Sequence, residues 1–225
     1  MSIDEYFGRW SRVIDEKVLS SILEQLNLGY RHKLFSPAQS DVFKAFKLCP
    51  YEGLKIIFVG QDPYPQKGVA TGILFGNKKE TEEENLSPSL QIIKEAVINY
   101  ETPHSIISFD NTLESWARQG ILMLNSALTV QIDHVGSHTM LWRPFIANLL
   151  KNLSERDSGL VYVLFGNQAQ TFKPYINSKF NIILEEKHPA YYARERKQMS
   201  HAIFEQLNTL MKERYGEPIT WYQEY

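Results

Sequence analysis

A single cysteine, Cys49, occurs among the 225 residues, which excludes an internal disulfide and any zinc site built on cysteine pairs. No apolar run approaches the roughly 18 residues that a membrane-crossing helix requires. The opening MSIDEYFGRW is charged and offers no apolar signal segment, so a chain kept in a reducing cytoplasm is expected. Excess charge is missing too: 24 Lys and Arg nearly balance 26 Asp and Glu, for a net charge of −2. That balance neither selects nor excludes nucleic acid, because phosphate is neutralised by a local patch and not by the total. There is no internal repeat, no Gly/Ser-rich linker and no low-complexity tract beyond the acidic Glu80, Glu82, Glu83 and Glu84. What remains is 43% hydrophobic and 22% charged, a globular composition rather than a disordered one. One domain over residues 1–225 is expected, long enough to bury a sizeable core.

Short apolar, β-branched runs alternate with helix-period segments. Buried strands are expected at LKIIFVG (54–60), within GILMLNSALTV (120–130, running into Asn125), at LVYVLFG (160–166) and at NIILEE (181–186). VLSSILEQLN reads as a helix, and SPAQSDVFKAF as another that Ser36 caps and Pro37 starts. SPSLQIIKEAV is a further capped helix, TLESWARQG a short one closed by Gly120, and 140–153 a longer one. NQAQTFKPYI starts another, and 197–214 forms a long closing helix. The pattern predicts an α/β fold: a central four-stranded, mainly parallel sheet flanked by helices on both faces. In such folds functional loops lie beyond the carboxyl ends of the strands. Each polar cluster follows a strand directly: Gln61 and Asp62, Asn125 and Ser126, Gly166 and Asn167, Lys187 and His188. Four polar ends on four apolar strands are expected to converge on one cleft.

Each motif has a bland reading beside the functional one. In GQDPYP (60–65), Asp62 is either a turn cap or a carboxylate at a cleft mouth that faces a developing cation. Tyr64 and Phe75 then form cleft walls, although a Phe in GILFG is ordinarily core. Asn125 either ties down its loop or offers one acceptor and one donor to an amide-like base edge. His188 lies in KHPAYYARERK, where Lys187, Arg194, Arg196 and Lys197 interleave with Tyr191 and Tyr192. That mixture suits phosphate contact plus insertion into a base stack, or else an ordinary solvated loop. His134 and His138 are spaced four apart, but Gly136 between them opposes a helix, so no metal site is expected.

Taken together, DVFKAF, GQDPY, SPSL, LESWARQGILMLNSALTV, SH, LFGNQAQ, KHP and EPITW keep one order and spacing along nearly the whole chain. This set resembles the uracil-DNA glycosylase family, the branch with a GQDPYH water-activating motif and an HPSP leucine loop. The resemblance implies hydrolysis of the bond between flipped-out uracil and deoxyribose, without cofactor, metal or strand cleavage. It implies that Asp62 orients the attacking water and stabilises the sugar cation, and that His188 hydrogen-bonds uracil O2. Asn125 would read O4 and N3–H, Phe75 stack on the base, Tyr64 exclude the thymine methyl and Gln61 complete the pocket. Ser89, Gly166 and Asn167 would grip the DNA backbone, with Tyr191 and Arg194 also on the DNA side. Tyr192 stands where the family's leucine fills the space left by the flipped nucleotide. The implied partner is uracil-containing DNA, single- or double-stranded, bound by a monomer, with a protein inhibitor as a further candidate.

Three motifs depart from the family pattern. The motif's closing histidine is Pro65, HPSP is HPAY with Ala190 and Tyr191, and Asn167 replaces the Gly-Ser serine. The acidic run also precedes a loop expected to touch DNA, where it would repel phosphate. These changes leave the chemistry and alter the grip. Two rival readings stand beside uracil excision: a glycosylase of this fold for another modified base, and a catalytically silent DNA-binding or replication-accessory protein.

Overall fold

A computed structural model describes residues 2–32, 34–98 and 107–224, with Leu28 by its backbone alone. The four apolar runs form strands β1 (Ile56–Gly60), β2 (Ile121–Asn125), β3 (Val161–Phe165) and β4 (Ile182–Glu186). They make one parallel sheet in the order β2-β1-β3-β4. Every residue of β1, β2 and β3 is buried. Successive side chains point to opposite faces of a strand, so complete burial requires cover on both. β4 is the half-exposed edge, which explains its polar Glu185 and Glu186. Register pairs Gly60 with Asn125 and Phe165 with Glu186, so the carboxyl ends of neighbouring strands finish nearly level.

Around the sheet run helices α1 (Glu16–Arg31), α2 (Pro88–Ile98), α3 (Glu114–Arg118), α4 (Thr139–Arg156), α5 (Gly166–Gln170), α6 (Pro189–Glu195) and α7 (Ala202–Tyr215). Trp116, on α3, anchors the end of the chain. Its indole N–H donates to the Trp221 carbonyl at 2.9 Å, and its ring meets Trp221 and Phe204 edge-on. At Gly120 the chain turns with φ +97°, and a Cβ there would lie 2.0 Å from the Gly53 carbonyl oxygen. Only glycine fits both conditions.

The α/β class, the parallel sheet and the strand positions agree with the sequence pattern. Three helical expectations do not. Ser36 and Pro37 start no helix: Phe35–Ser36 pairs antiparallel with Val130–Gln131, and the Ser36 hydroxyl donates to the Tyr64 carbonyl at 3.1 Å. With Ser36 so engaged, helix appears only as a 3-10 turn at Gln39–Asp41 and a short helix at Lys44–Leu48. After β3, α5 stops at Gln170, and Pro174 sits in a separate 3-10 turn, Lys173–Tyr175. The closing helix does not begin at 197: the separate α6 is capped by Arg196, which is left-handed (φ +52°), and the Lys197 amide turns back to the Tyr192 carbonyl. Helix resumes only at Ala202.

Leu164, on β3, is fully buried. Leu164→Ala should lower unfolding free energy by about 2–5 kcal/mol, read as a lower urea midpoint with unchanged slope.

Candidate active site

The chain leaves β1 for β2 on one side and returns to β3 on the other, so the strand order reverses between β1 and β3. At such a reversal the loops diverge and open a crevice beyond the strand ends. A cavity of about 570 Å³ lies there, walled by residues that follow all four strands. The β1 and β2 loops are clamped to each other. Ser126 and Ala127 donate their amides to the Gly60 and Gln61 carbonyls at 3.1 and 3.0 Å, and the Ser126 hydroxyl adds a 3.0 Å bond to Gln61.

This clamp aims Asp62 into the cavity. Its Oδ2 accepts the Gly136 amide at 2.7 Å, while Oδ1 is buried without a hydrogen-bond partner. Burial raises its pKa above the usual carboxylate value, and the Gly136 amide with the nearby Gln61 and Thr139 side chains pulls it partly back. A buried acceptor left open costs about 1–3 kcal/mol, so it marks a place where a ligand or water is held.

Asn125 ends β2 with 8% of its surface exposed, and its side-chain amide makes no hydrogen bond within the described residues. One acceptor and one donor pair therefore stand unused in the cavity wall. Phe75 is held in a left-handed conformation (φ +64°), and its carbonyl accepts the Tyr64 hydroxyl at 2.9 Å. The Phe75 ring meets Phe165 and His188 edge-on at 5.3 and 5.4 Å. Gly60 allows this segment to approach, since a Cβ there would meet Leu74 Cδ1 at 2.3 Å. Burial keeps the Tyr64 hydroxyl protonated well above its ordinary range.

His188 caps α6. Its Nδ1 accepts the Ala190 amide at 3.2 Å, so the proton of the neutral ring sits on Nε2. Burial, and then the Arg194 charge, push its pKa down to about 4. Near neutral pH the ring is therefore an uncharged N–H donor. Gly166 makes room for it: φ is +83°, and a Cβ would lie 2.8 Å from His188 Cβ. Ser89 is 4% exposed with a hydroxyl that has no partner within the described residues.

Gln61, Asp62, Tyr64, Phe75, Asn125 and His188 thus share one cavity, and Ser89, Gly166, Asn167, Tyr191 and Arg194 line it as well. Tyr192 does not, against the expectation that it is the wedge. Its hydroxyl donates to Glu186 Oε1 at 2.8 Å and its ring packs against the core. The adjacent Tyr191 faces the cavity instead. Sequence reasoning treated Gly136 only as a helix breaker and passed over Val135, which is 66% exposed and lines the cavity. A backbone amide 74 residues from its carboxylate leaves no pattern in the sequence. His138 turns from the site: the Thr129 hydroxyl takes the Trp142 indole N–H at 2.7 Å and is hydrogen-bonded to His138 Nδ1 at 2.8 Å.

The family profile described as the uracil DNA glycosylase superfamily matches residues 46–212. The uracil-DNA glycosylase of Amoebophilus asiaticus is 32% identical over 94% of this chain and 96% of its own length. That of Mycoplasmopsis pulmonis is 34% identical over 85% of each. Among solved structures, the mimivirus uracil-DNA glycosylase superposes with a TM-score of 0.75 at 21% identity, covering 98% of this chain and 93% of that one. A variant of the mimivirus UNG in complex with UGI gives 0.75 at 24% identity, covering 96% and 82%.

Nitrogen-15 NMR should show His188 neutral and protonated on Nε2 from about pH 5 to 8, titrating only near 4. A folded-state pKa below the unfolded value near 6.5 means the unfolded chain takes up this proton first. The His188 contribution to stability should therefore fall as pH drops from about 6.5 to 4. An imidazole titrating near 6.5 would contradict this account of the site.

Proposed function

The chain belongs to the uracil-DNA glycosylase superfamily, and from that membership we propose how its cleft divides the work of removing uracil from DNA. The enzyme hydrolyses the N-glycosidic bond of uracil and leaves an abasic site, the opening step of base excision repair. The base is unreachable inside a duplex, so it must be swung out into the cavity at a cost of a few kcal/mol. Breaking the bond puts positive charge on deoxyribose and negative charge on the departing ring.

The observation that carries the reading is a pair of complementary electrostatic groups lining one cavity. One is a carboxylate with an open oxygen; the other is a neutral imidazole with its N–H unspent. Asp62 stabilises the sugar cation, and its free Oδ1 orients the water whose oxygen bonds to C1′. His188 donates from Nε2 to uracil O2 as charge builds there. Because the imidazole is neutral beforehand, it gives a hydrogen bond without a proton transfer, and its electrostatic benefit appears chiefly in the transition state.

Asn125 supplies the selection. Its Oδ1 accepts from N3–H and its Nδ2 donates to O4, and no protein partner has to be displaced first. Phe75 stacks on the base, Tyr64 occupies the space a C5 methyl needs, and Gln61 completes the wall. Ser89, Gly166, Asn167 and Arg194 hold the DNA backbone. The partner is uracil-containing DNA, engaged by a monomer in the cytoplasm, where the one buried thiol, Cys49, stays reduced. A protein inhibitor is a second partner; the mimivirus UNG variant in complex with UGI supports it.

Purified protein incubated with a uracil-containing oligonucleotide in chelator should yield free uracil and alkali-labile sites. Absence of both refutes the function. Asp62→Asn should slow release by roughly 10²–10⁴-fold, the scale of a positioned carboxylate, while oligonucleotide affinity stays within a few-fold. Asn125→Asp should begin to release cytosine, because the new carboxyl oxygen accepts from its amino group; continued rejection of cytosine would dismiss the Asn125 pairing.

A further inference from the structure

We propose that Tyr191 is a stacking platform for the base beside the flipped uracil, and that it tunes this enzyme toward unpaired DNA. The inference rests on the uracil-excision reading above and adds the form of the substrate. Four observations carry it.

Tyr191 stands in HPAY, and its half-buried ring lines the cavity with the exposed Lys187 and Arg194, so this side is the solvent-facing rim. The Tyr191 hydroxyl makes no hydrogen bond within the described residues, whereas the Tyr192 hydroxyl is tied to Glu186. Of two adjacent tyrosines, one is fixed into the fold and the other is presented to the cleft. Their rings meet edge-on at 5.4 Å, so the fixed ring buttresses the presented one.

Positive charge is gathered at the same ring. Lys187 Nζ lies 4.4 Å and Lys197 Nζ 5.9 Å from its centroid. Lys187 is exposed and lies over the ring, so an arriving base takes its place on the π-surface while the ammonium turns to a flanking phosphate. Grip on the backbone is meanwhile thinned, since Ala190 carries no hydroxyl to hold a phosphate.

A second strand is disfavoured on this rim. Ser89, near the start of α2, lines the cavity, and α2 packs against α6. The turn just before α2 carries Glu82, Glu83 and Glu84, of which, among the described residues, only Glu83 is paired with a lysine, Lys94 at 2.6 Å. Acidic groups there repel the phosphates of a complementary strand. Flipping uncovers one face of the flanking base in either form, so it is this repulsion that keeps a duplex from the platform.

The test compares Tyr191→Ala, Tyr191→Phe and Tyr191→Trp with the native enzyme on one uracil oligonucleotide, alone and annealed. Tyr191→Ala should lower kcat/KM on the single strand by about five- to 100-fold, the range for loss of one base–aromatic stack, and on the duplex much less. Tyr191→Phe and Tyr191→Trp should retain the single-strand rate. In parallel, a fluorescent 2-aminopurine placed next to the uracil reports stacking directly in the Asp62→Asn background, which holds the strand uncleaved. Its quenching on binding should survive Tyr191→Phe and Tyr191→Trp and vanish in Tyr191→Ala. Equal losses on both substrates, persistent quenching in Tyr191→Ala, or Tyr191→Trp behaving as Tyr191→Ala would overturn the platform. Native enzyme that released no uracil from either form would overturn the excision reading instead, and the quenching would still decide the platform.

Discussion

One amide–carboxylate bond governs this molecule: the Gly136 N–H held 2.7 Å from Asp62 Oδ2. The cavity raises the cost of charge on Asp62, and this bond does most to lower it again. By satisfying one oxygen it also fixes the direction of the other, leaving Oδ1 open in the cleft. The loop that supplies the amide is itself built into the fold. Val130–Gln131 pairs with Phe35–Ser36, and His138 and Trp142 close on Thr129. A polar bond at the surface of the sheet thus depends on buried contacts far along the chain.

The opposite wall follows the same logic with the reverse sign. Burial and the Arg194 charge keep His188 neutral, and the Ala190 amide on Nδ1 determines which nitrogen carries the proton. The two walls approach because glycine occurs where a side chain would intrude. Gly60 admits Leu74 over the end of β1, and Gly166 admits His188 beside β3. Asn125 and Phe75 then face a space that backbone geometry has already shaped, so little reorganisation is needed when a base arrives.

Chemistry and grip have separated in this protein. The carboxylate, amide and aromatic wall of the cavity sit on a strand end and on turns clamped to it, and the imidazole caps α6 directly after β4. Of the positions that depart from the family pattern, Pro65 lies in a loop, Asn167 in the short α5, and Ala190 and Tyr191 in the short α6. Such segments tolerate exchange because they bear little of the core, so substrate form can change while the reaction is kept.

The amino-acid pattern by itself determined the α/β class, the four strand positions and the polar groups that follow them. Apolar β-branched runs of strand length, each ended by a polar residue, are local signals, and the level register of β1 to β4 turned them into one cleft. Tertiary structure decided the rest, because it depends on partners distant in sequence. Ser36 became a ladder residue instead of a helix cap because Val130 and Tyr64 claimed it. The closing helix began at Ala202 and not at 197, because the Lys197 amide turned back to Tyr192. Tyr191 and Tyr192 are indistinguishable as neighbours in a motif. Only the position of Glu186, at the end of β4, assigned one ring to the fold and left the other to the cleft.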